Sequence, residues 1–263
     1  MHSRISHPDE EENVLQSTLG KGNTMLRLFH HMWVIAAAID VFSVQALAVD
    51  IETISVGNAG NGADMRYDLS RKPDGYGCVN YNYRIGKYEV TAGQYTSFLN
   101  AVAATDTYGL YDMYMGSDLS GCQIQRIGTS GSYTYSVASD YASRPVNCVS
   151  WGDAARFANW LTNGQPTGEQ GLNTTEDGSY YLNGAMSNEA LMAVMRKVNA
   201  RYVIPTEDEW YKAAYHKNDG VTSNYWDYPT SSNIKPSNSL GNPTDPGNNA
   251  TYLEGCFTLG AYL

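Results

Sequence analysis

Histidine is scarce in the part of the chain that could form a folded domain. The chain of 263 residues has five histidines, and four of them lie at positions 2, 7, 30 and 31. Only His216 follows residue 48, which excludes a metal site built from several histidines there. No Gly-x-Ser-x-Gly nucleophile motif accompanies it. Because His216 falls at the end of a predicted helix, we expect it to interact with free carbonyl groups rather than to act in catalysis.

Four cysteines offer a second kind of chemistry. They are Cys78, Cys122, Cys148 and Cys256. No Cys-x-x-Cys pair occurs, so neither a thiol redox motif nor a zinc-binding motif is indicated. The even count, together with the export signal described below, favours one or two disulfides. Three full pairings of the four cysteines remain open.

Carboxylates are dense in residues 201–216, Arg-Tyr-Val-Ile-Pro-Thr-Glu-Asp-Glu-Trp-Tyr-Lys-Ala-Ala-Tyr-His. We expect residues 202–204 to form a strand that Pro205 ends. Thr206 and Glu209 then have the spacing of a capping box, which predicts the start of a helix. The interpretation that we favour for these carboxylates is structural: they cap the helix or face solvent.

Three more helices are predicted from capping residues and from apolar side chains at intervals of three and four residues. They begin at Thr91, which pairs with Gln94, at Ser150, which pairs with Asp153, and at Ser187. The faces that we expect to be buried are Tyr95, Phe98, Leu99 and Val102, then Ala154, Phe157, Ala158 and Leu161, and then Leu191, Val194, Met195 and Val198. We interpret the methionines as core residues rather than as ligands.

Strands are predicted where β-prone residues lie between turn signals. The predicted segments are 50–56, a tyrosine-rich pair at 79–83 and 84–90, then 133–137, 179–182, 225–229 and 251–263. Residues 108–141 form a long segment rich in glycine, serine and tyrosine. A connection of this length often bears function, so we treat it as a candidate surface. Residues 230–250 are interpreted as a long loop.

Three runs of this sequence resemble, in the same order, motifs of the formylglycine-generating enzyme (sulfatase-modifying factor) family. They are Tyr-Glu-Val-Thr-Ala-Gly-Gln-Tyr at 88–95, Arg-Pro-Val-Asn-Cys-Val-Ser-Trp-Gly-Asp-Ala at 144–154, and residues 201–214. The resemblance implies an α+β fold similar to C-type lectins, with short helices packed on an irregular antiparallel sheet and many loops. It covers roughly the first two thirds of the family's domain, so we expect the domain to be incomplete at its C-terminal side.

The chemistry that the resemblance implies is a copper-dependent oxidation of a sulfatase cysteine to formylglycine. Two cysteines near the end of the family's domain bind the copper, as soft thiolates suit Cu(I). This sequence lacks the family's Gly-Asn-Val-Trp-Glu-Trp, Gly-Gly-Ser-Trp and Gly-Phe-Arg segments, and Cys256 stands in no matching motif. We therefore assign no catalytic residue and no copper ligand. The family also implies structural calcium, for which no ligand residue is assigned.

The first 48 residues have the layout of an exported protein. Residues 25–48 combine a weakly basic start, an apolar run and an Ala-Leu-Ala cleavage site, which predicts a secretory signal peptide. Residues 1–24 are a polar extension that translation from Met25 would omit. The alternative is a buried or disordered N-terminal helix. We expect residues 49–263 to be the partial domain, located outside the cytoplasm, at the cell surface, in a periplasm or secreted, without a transmembrane anchor in this chain.

Composition narrows the function further. The net charge of −10 argues against a general nucleic-acid surface, and the 21 tyrosines and 25 glycines suit a recognition surface. The favoured hypothesis is an exported family member that is not catalytic as this chain stands. The alternatives are a fragment of a copper-dependent formylglycine-generating oxidase, a lectin-like module that binds an unknown protein or glycan, and a truncated product that folds poorly.

Overall fold

The computed structural model describes residues 48–67, 69–238 and 248–250. The predicted extension and signal peptide up to residue 47, the predicted strand at 251–263 and Cys256 lie outside the described residues. The elements are β1 (Thr53–Val56), β2 (Tyr83–Gly86), α1 (Ala92–Val102), α2 (Tyr114–Ser117), β3 (Ile124–Ile127), β4 (Thr134–Val137), α3 (Trp151–Thr162), α4 (Asn188–Met192) and α5 (Glu207–Tyr215). No helix among them is long and apolar enough to cross a membrane.

Two small antiparallel sheets, β1 with β2 and β3 with β4, accompany the short helices. In the first sheet Thr53 lies opposite Gly86, and in the second Ile124 lies opposite Val137. The mixture of short helices and small antiparallel sheets confirms the predicted α+β class. The likeness to C-type lectins stays a prediction.

The predicted helix starts are confirmed. Reciprocal capping boxes, in which each side chain bonds the backbone of the other residue, join Thr91 with Gln94, Ser150 with Asp153, and Thr206 with Glu209. Each box satisfies two backbone N–H groups that the first turn of a helix would otherwise leave unbonded. Gly164, with φ 80°, follows the end of α3 in the left-handed conformation that glycine adopts readily.

The main core lies between α1 and α3. The ring of Phe98 packs at 5.3 Å from Phe157 and at 5.2 Å from Trp160. The predicted apolar face of α1 is fully buried, and its Tyr95 hydroxyl donates to the carbonyl of Leu110 at 2.8 Å. For α3 the predicted apolar face accounts for only part of the burial. Polar residues such as Arg156 and Asn159 are buried as well, and nearly the whole helix is enclosed.

The buried polar groups of α3 find partners in the loop that follows it. Arg156 donates to Glu176 at 2.7 and 3.0 Å, and both side chains are buried. The guanidinium of Arg156 also stacks on Tyr108 at 4.4 Å. The side chain of Asn159 bonds the backbone carbonyls of Thr175 and Tyr180. This helix therefore organises residues 170–185 through side-chain hydrogen bonds as well as apolar packing.

The predicted strand pair at 79–83 and 84–90 is wrong. Only Tyr83–Gly86 forms a strand, and its partner is β1. The backbone of Val79 is already bonded elsewhere, since its N–H donates to the Asn61 side chain and its carbonyl accepts from Gly60. A buried asparagine thus takes the place of a neighbouring strand.

Three other predicted strands are absent from the described residues, because their backbone groups are also bonded elsewhere. In the segment 179–182 the N–H of Tyr180 donates to the Asn159 side chain. In the segment 202–204 the N–H of Ile204 donates to the Tyr180 hydroxyl at 3.0 Å. In the segment 225–229 the N–H of Trp226 donates to the last residue of α5. Side chains and isolated contacts satisfy these backbones, so no ladder forms.

The third predicted helix is much shorter than its apolar pattern indicated. Ser187 caps it as predicted, but α4 ends at Met192. Met195 and Val198, predicted to be buried, are 77% and 89% exposed, so the prediction that the methionines here fill the core is wrong. The cause is long-range: Arg196 pairs with Tyr180 in an isolated bridge and reaches Glu209 with its side chain. These contacts direct the chain away from a helical path.

Candidate functional site

Two regions hold the side chains that could carry function. The first is the α5 corner, which we define as Tyr81, Arg196, Thr206 and Glu209. The second is the tyrosine-rich segment, residues 108–141, together with the aspartate that precedes it.

Glu209 is the centre of the α5 corner. Its Oε1 accepts from the Tyr81 hydroxyl at 2.6 Å and from Arg196 Nη2 at 3.1 Å. Its Oε2 accepts from Arg196 Nη1 at 3.0 Å and from the backbone N–H of Thr206 at 2.7 Å. The hydroxyl of Tyr83 also donates to the backbone carbonyl of Glu209. The carboxylate is buried, and donors from three segments of the chain converge on it.

These bonds fix the protonation states of the corner. Burial alone raises the pKa of Glu209, but the hydrogen bonds from Arg196, Tyr81 and Thr206 outweigh it and leave the pKa lowered. The hydrogen bond to Glu209, followed by burial, raises the pKa of Tyr81. Glu209 therefore stays ionised and Tyr81 neutral. A carboxylate that already accepts four hydrogen bonds is poorly placed to take a proton from a substrate, so the corner is suited to holding segments together.

The two carboxylates before Glu209 differ from each other. Asp208 accepts from Lys72 Nζ at 2.6 Å and from the backbone N–H of Gly77 at 2.7 Å. Glu207 is exposed and contacts Lys72 at 3.3 Å. The prediction that these carboxylates only cap the helix or face solvent is thus correct for Glu207, whereas Asp208 and Glu209 also fasten α5 to other segments.

The next residues of α5 continue this network. The hydroxyl of Tyr211 donates to Asp64 at 2.9 Å, and Arg66 donates to both oxygens of the same aspartate. Burial raises the pKa of Asp64, but the Arg66 and Tyr211 hydrogen bonds outweigh it and the net pKa is lowered. Lys212 is buried and donates to the carbonyls of Asn58 at 2.9 Å and Val79 at 3.5 Å. Its pKa is lowered by burial.

His216 is the C-cap residue that follows α5, and its contacts are structural. Its Nδ1 accepts from the N–H of Asn218 at 3.0 Å, which leaves Nε2 to donate to the carbonyl of Thr222 at 3.1 Å. The expected contact with a carbonyl is present, but the carbonyl belongs to the following loop rather than to the helix. The ring packs edge-on against Tyr225 at 5.0 Å.

The tyrosine-rich segment is held from within by one arginine. Arg126 lies over the rings of Tyr111 at 4.6 Å and Tyr133 at 4.5 Å. Its Nη1 donates to Asp106 at 3.3 Å. Asp106, whose side chain is buried, also accepts from the backbone N–H of Leu110 at 2.7 Å. Stacked cation–π contacts and a buried acceptor give the segment an ordered base.

Three apolar side chains of the same segment are exposed. Met113, Tyr114 and Leu119 are 64%, 58% and 97% exposed, and we call them the apolar loop patch. Met115, the residue that follows Tyr114, is fully buried in the core. Short hydrogen-bonded turns connect the patch, such as Gly121 N–H to the Asp118 carbonyl at 3.0 Å. The sequence identified the segment as a candidate surface but none of these residues, because a four-residue helix has no readable period.

The thiols and metal-binding groups complete the inventory. Cys78, Cys122 and Cys148 are free thiols, so the predicted disulfide is not formed among the described residues. No group of three or more His, Cys, Asp or Glu side chains in the described part of the chain could hold a metal ion.

Comparison with known families agrees with the sequence motifs. The model of the sulfatase-modifying factor enzyme 1-like domain matches residues 50–252. This match spans most of the chain, and the chain belongs to that family. Comparisons with curated proteins and with solved structures gave no significant match.

Proposed function

We propose that this chain is a sulfatase-modifying-factor domain that acts outside the cytoplasm by binding another protein, without forming formylglycine. The observation that carries the proposal is the apolar loop patch, in which Met113, Tyr114 and Leu119 are exposed on an ordered base. Apolar side chains that are exposed together can mark a protein interaction site. The hydrogen bonds that Glu209 accepts support a structural role for the third family motif, residues 201–214.

A protein partner suits this patch better than a glycan. Methionine and tyrosine are enriched in protein interfaces, where aliphatic side chains lose contact with water. Sugar hydroxyls need hydrogen-bond partners, which the side chains of Met113 and Leu119 cannot supply. Arg126, about a third exposed, offers a charged group near the base of the segment for orientation. A glycan ligand is the outcome that would redirect the proposal.

The extracytoplasmic location rests on the signal-peptide layout of residues 25–48. Expression of the full chain in its natural host, followed by fractionation and N-terminal sequencing, tests it. We expect a secreted or envelope-bound form that begins near Val49. A cytoplasmic form that retains residues 25–48 would contradict this part of the proposal.

Site-specific photocrosslinking tests the binding surface. A photoreactive phenylalanine analogue replaces Leu119 in one variant and Val221, another exposed residue, in a matched control. We expect the full chain to form a discrete crosslinked protein species from position 119 only, and Met113→Ser with Tyr114→Ser to abolish it. Equal crosslinking from both positions, or binding to a glycan array that the same substitutions remove, would overturn the proposal of a protein partner.

Direct assay tests the statement about catalysis. The full chain is incubated with a peptide that carries the cysteine motif of a sulfatase, with copper and a thiol reductant supplied. We expect mass spectrometry to find the cysteine unchanged. Conversion of that cysteine to formylglycine would favour the alternative, a copper-dependent oxidase.

A further inference from the structure

Two of the free thiols occupy neighbouring segments. Cys122 is buried just before β3, and Cys148 is exposed two residues before the Ser150 cap of α3. The thiol of Cys122 donates to the backbone carbonyl of Asn147 at 3.9 Å, and the side chain of Asn147 donates to the carbonyl of Ser120 at 2.7 Å. These contacts clamp residues 120–122 against the residue that immediately precedes Cys148.

The clamp brings the two cysteines within reach of each other. A peptide carbonyl oxygen lies about 2.8 Å from the Cα atom of the next residue. The Cys122 sulfur therefore lies within about 7 Å of the Cys148 Cα atom. Disulfides join cysteines whose Cα atoms are about 4.4–6.8 Å apart. The side chain of Cys148 is exposed and can turn toward Cys122, and formation of the bond would also draw the two Cα atoms into this range.

We propose that Cys122 and Cys148, which are free thiols in this structure, join in a disulfide when the protein is oxidised, and that this bond ties the tyrosine-rich segment to the start of α3 while Cys78 remains a thiol. The oxidant is a small-molecule disulfide, for which glutathione disulfide serves as the probe. The thiolate of the exposed Cys148 attacks it and releases one glutathione thiolate. The thiolate of Cys122 then attacks the Cys148 sulfur of the mixed disulfide and releases the second. The protein loses two protons and two electrons, and glutathione disulfide takes up the electrons.

The surroundings of Cys148 set the conditions for this reaction. Burial, followed by the nearby Asp112, Cys122 and Asp118, raises the pKa of the Cys148 thiol. The attacking thiolate is therefore scarce at neutral pH, and exchange is faster in mildly alkaline buffer. Formation of the disulfide does not depend on the proposed protein partner. The disulfide proposal and the partner proposal can therefore fail separately.

The arrangement of trypsin sites permits an unambiguous test on the full chain. Since trypsin does not cleave before proline, Cys122 falls on residues 88–126 and Cys148 on residues 127–156, while Cys78 falls on residues 72–84 and Cys256 on residues 218–263. The protein is incubated with glutathione disulfide, free thiols are alkylated, and the digest is analysed with and without reduction. We expect peptides 88–126 and 127–156 to be joined and to separate on reduction. Alkylated Cys122 and Cys148, or a bond from either of them to another cysteine, would overturn the proposal.

Two variants and a rate measurement show what the bond does. Cys78→Ser should keep the crosslink, and Cys148→Ser, whose fold is checked by circular dichroism, should lose it. Oxidation of the wild-type chain should slow native-state cleavage after Arg126 by about fivefold, since a crosslinked segment opens less often. The Cys148→Ser variant should show no such slowing. An unchanged rate in the oxidised wild type would overturn the inference that the disulfide restrains the segment.

Discussion

The α5 corner and the tyrosine-rich segment use polar and aromatic side chains in opposite ways. In the corner, the carboxylate of Glu209 accepts hydrogen bonds from Tyr81, Arg196 and Thr206, so its bonding capacity is taken up inside the molecule. In the segment, the polar contacts of Arg126 hold only the base. The side chains of Met113, Tyr114 and Leu119 in the same segment face solvent.

The two regions therefore differ in role: the α5 corner supports the fold, and the tyrosine-rich segment is the proposed binding region. The densest sequence motif of the chain, residues 201–214, builds a junction between helix α5 and three other segments. A stretch with little readable pattern, residues 108–141, supplies the exposed groups that a partner could contact. In this family member the strong motif at residues 201–214 is a guide to the fold, and the proposed binding function is placed in the segment that connects α1 to α3.

Removal of the central carboxylate gives the largest expected effect. Glu209→Ala takes away half of a capping box and leaves Arg196 and Tyr81 without their acceptor. We expect the free energy of unfolding to fall by about 3 kcal/mol, measured by urea denaturation. Glu207→Ala, at an exposed position of the same turn, should change it by less than about 0.5 kcal/mol. Equal effects of the two substitutions would contradict the contrast between a buried junction and a solvated surface.

Acid should lower the free energy of unfolding through protonation of Glu209 in the α5 corner. The folded-state pKa of Glu209 lies below its ordinary value of 4.5, so its carboxylate stabilises the fold above that pH and loses this contribution as the pH falls further. Between pH 5 and 3 we expect the wild type to lose about 1 kcal/mol more than Glu209→Gln does, measured by denaturation at each pH.

Asp153 in the capping box of α3 provides a control, because its pKa is shifted in the direction opposite to that of Glu209. Burial, the largest influence, raises its pKa above 3.8 in spite of the Ser150 hydrogen bonds. Protonation therefore favours the folded state, and its contribution to stability increases as the pH falls through the raised pKa. Asp153→Asn should remove a gain in stability on acidification, whereas Glu209→Gln removes a loss. The same sign for both variants would show that burial does not distinguish the two caps.

Local patterns predicted the fold where the stabilising contacts are local. Capping boxes at Thr91, Ser150 and Thr206 depend on side chains three residues apart, and all three were predictable. The length of α4 was not predictable, because the pairing of Arg196 with the distant Glu209 overrides the helical spacing of Met195 and Val198. The spacing of apolar residues along the chain carries no information about such a contact.

The same limit applies to the candidate sites. The asparagine that replaces a strand partner, Asn61, lies 18 residues from Val79, and the acceptor of buried Arg156 lies 20 residues along the chain. Composition identified residues 108–141 as a surface, but which of its apolar side chains are exposed depends on how Met115 and Ile124 enter the core. The closeness of Cys122 and Cys148 likewise follows from the fold.

Loosening the base of the tyrosine-rich segment should have an intermediate effect. Arg126→Ala removes two stacking contacts and a hydrogen bond to Asp106, for which we expect a loss of about 1–2 kcal/mol. Arg126→Lys should recover only part of this, because an ammonium group does not stack as a planar guanidinium does. Hydrogen exchange should report the change mainly at Leu110 and Tyr111, whose N–H groups donate to Asp106.

The control for this change is Arg144→Ala, since Arg144 stacks on Tyr141 at 4.0 Å but is exposed. We expect this variant to remain within about 0.5 kcal/mol of the wild type. Faster exchange throughout α1 and α3 in Arg126→Ala would contradict a local role for Arg126. In that case the base of the segment would be part of the main core rather than a separate support.

The smallest expected effect on stability is also the sharpest test of the apolar loop patch. Leu119→Ser replaces a side chain that is 97% exposed, so the free energy of unfolding should stay within about 0.5 kcal/mol of the wild type. Crosslinking of a partner from a photoreactive group at Met113 should nevertheless fall about tenfold, the loss that follows from about 1.4 kcal/mol of contact energy. Val221→Ser, at an exposed position elsewhere, should leave both measurements unchanged. Undiminished crosslinking in Leu119→Ser would show that the exposed leucine contacts solvent alone, and the recognition surface would then have to lie outside residues 113–119.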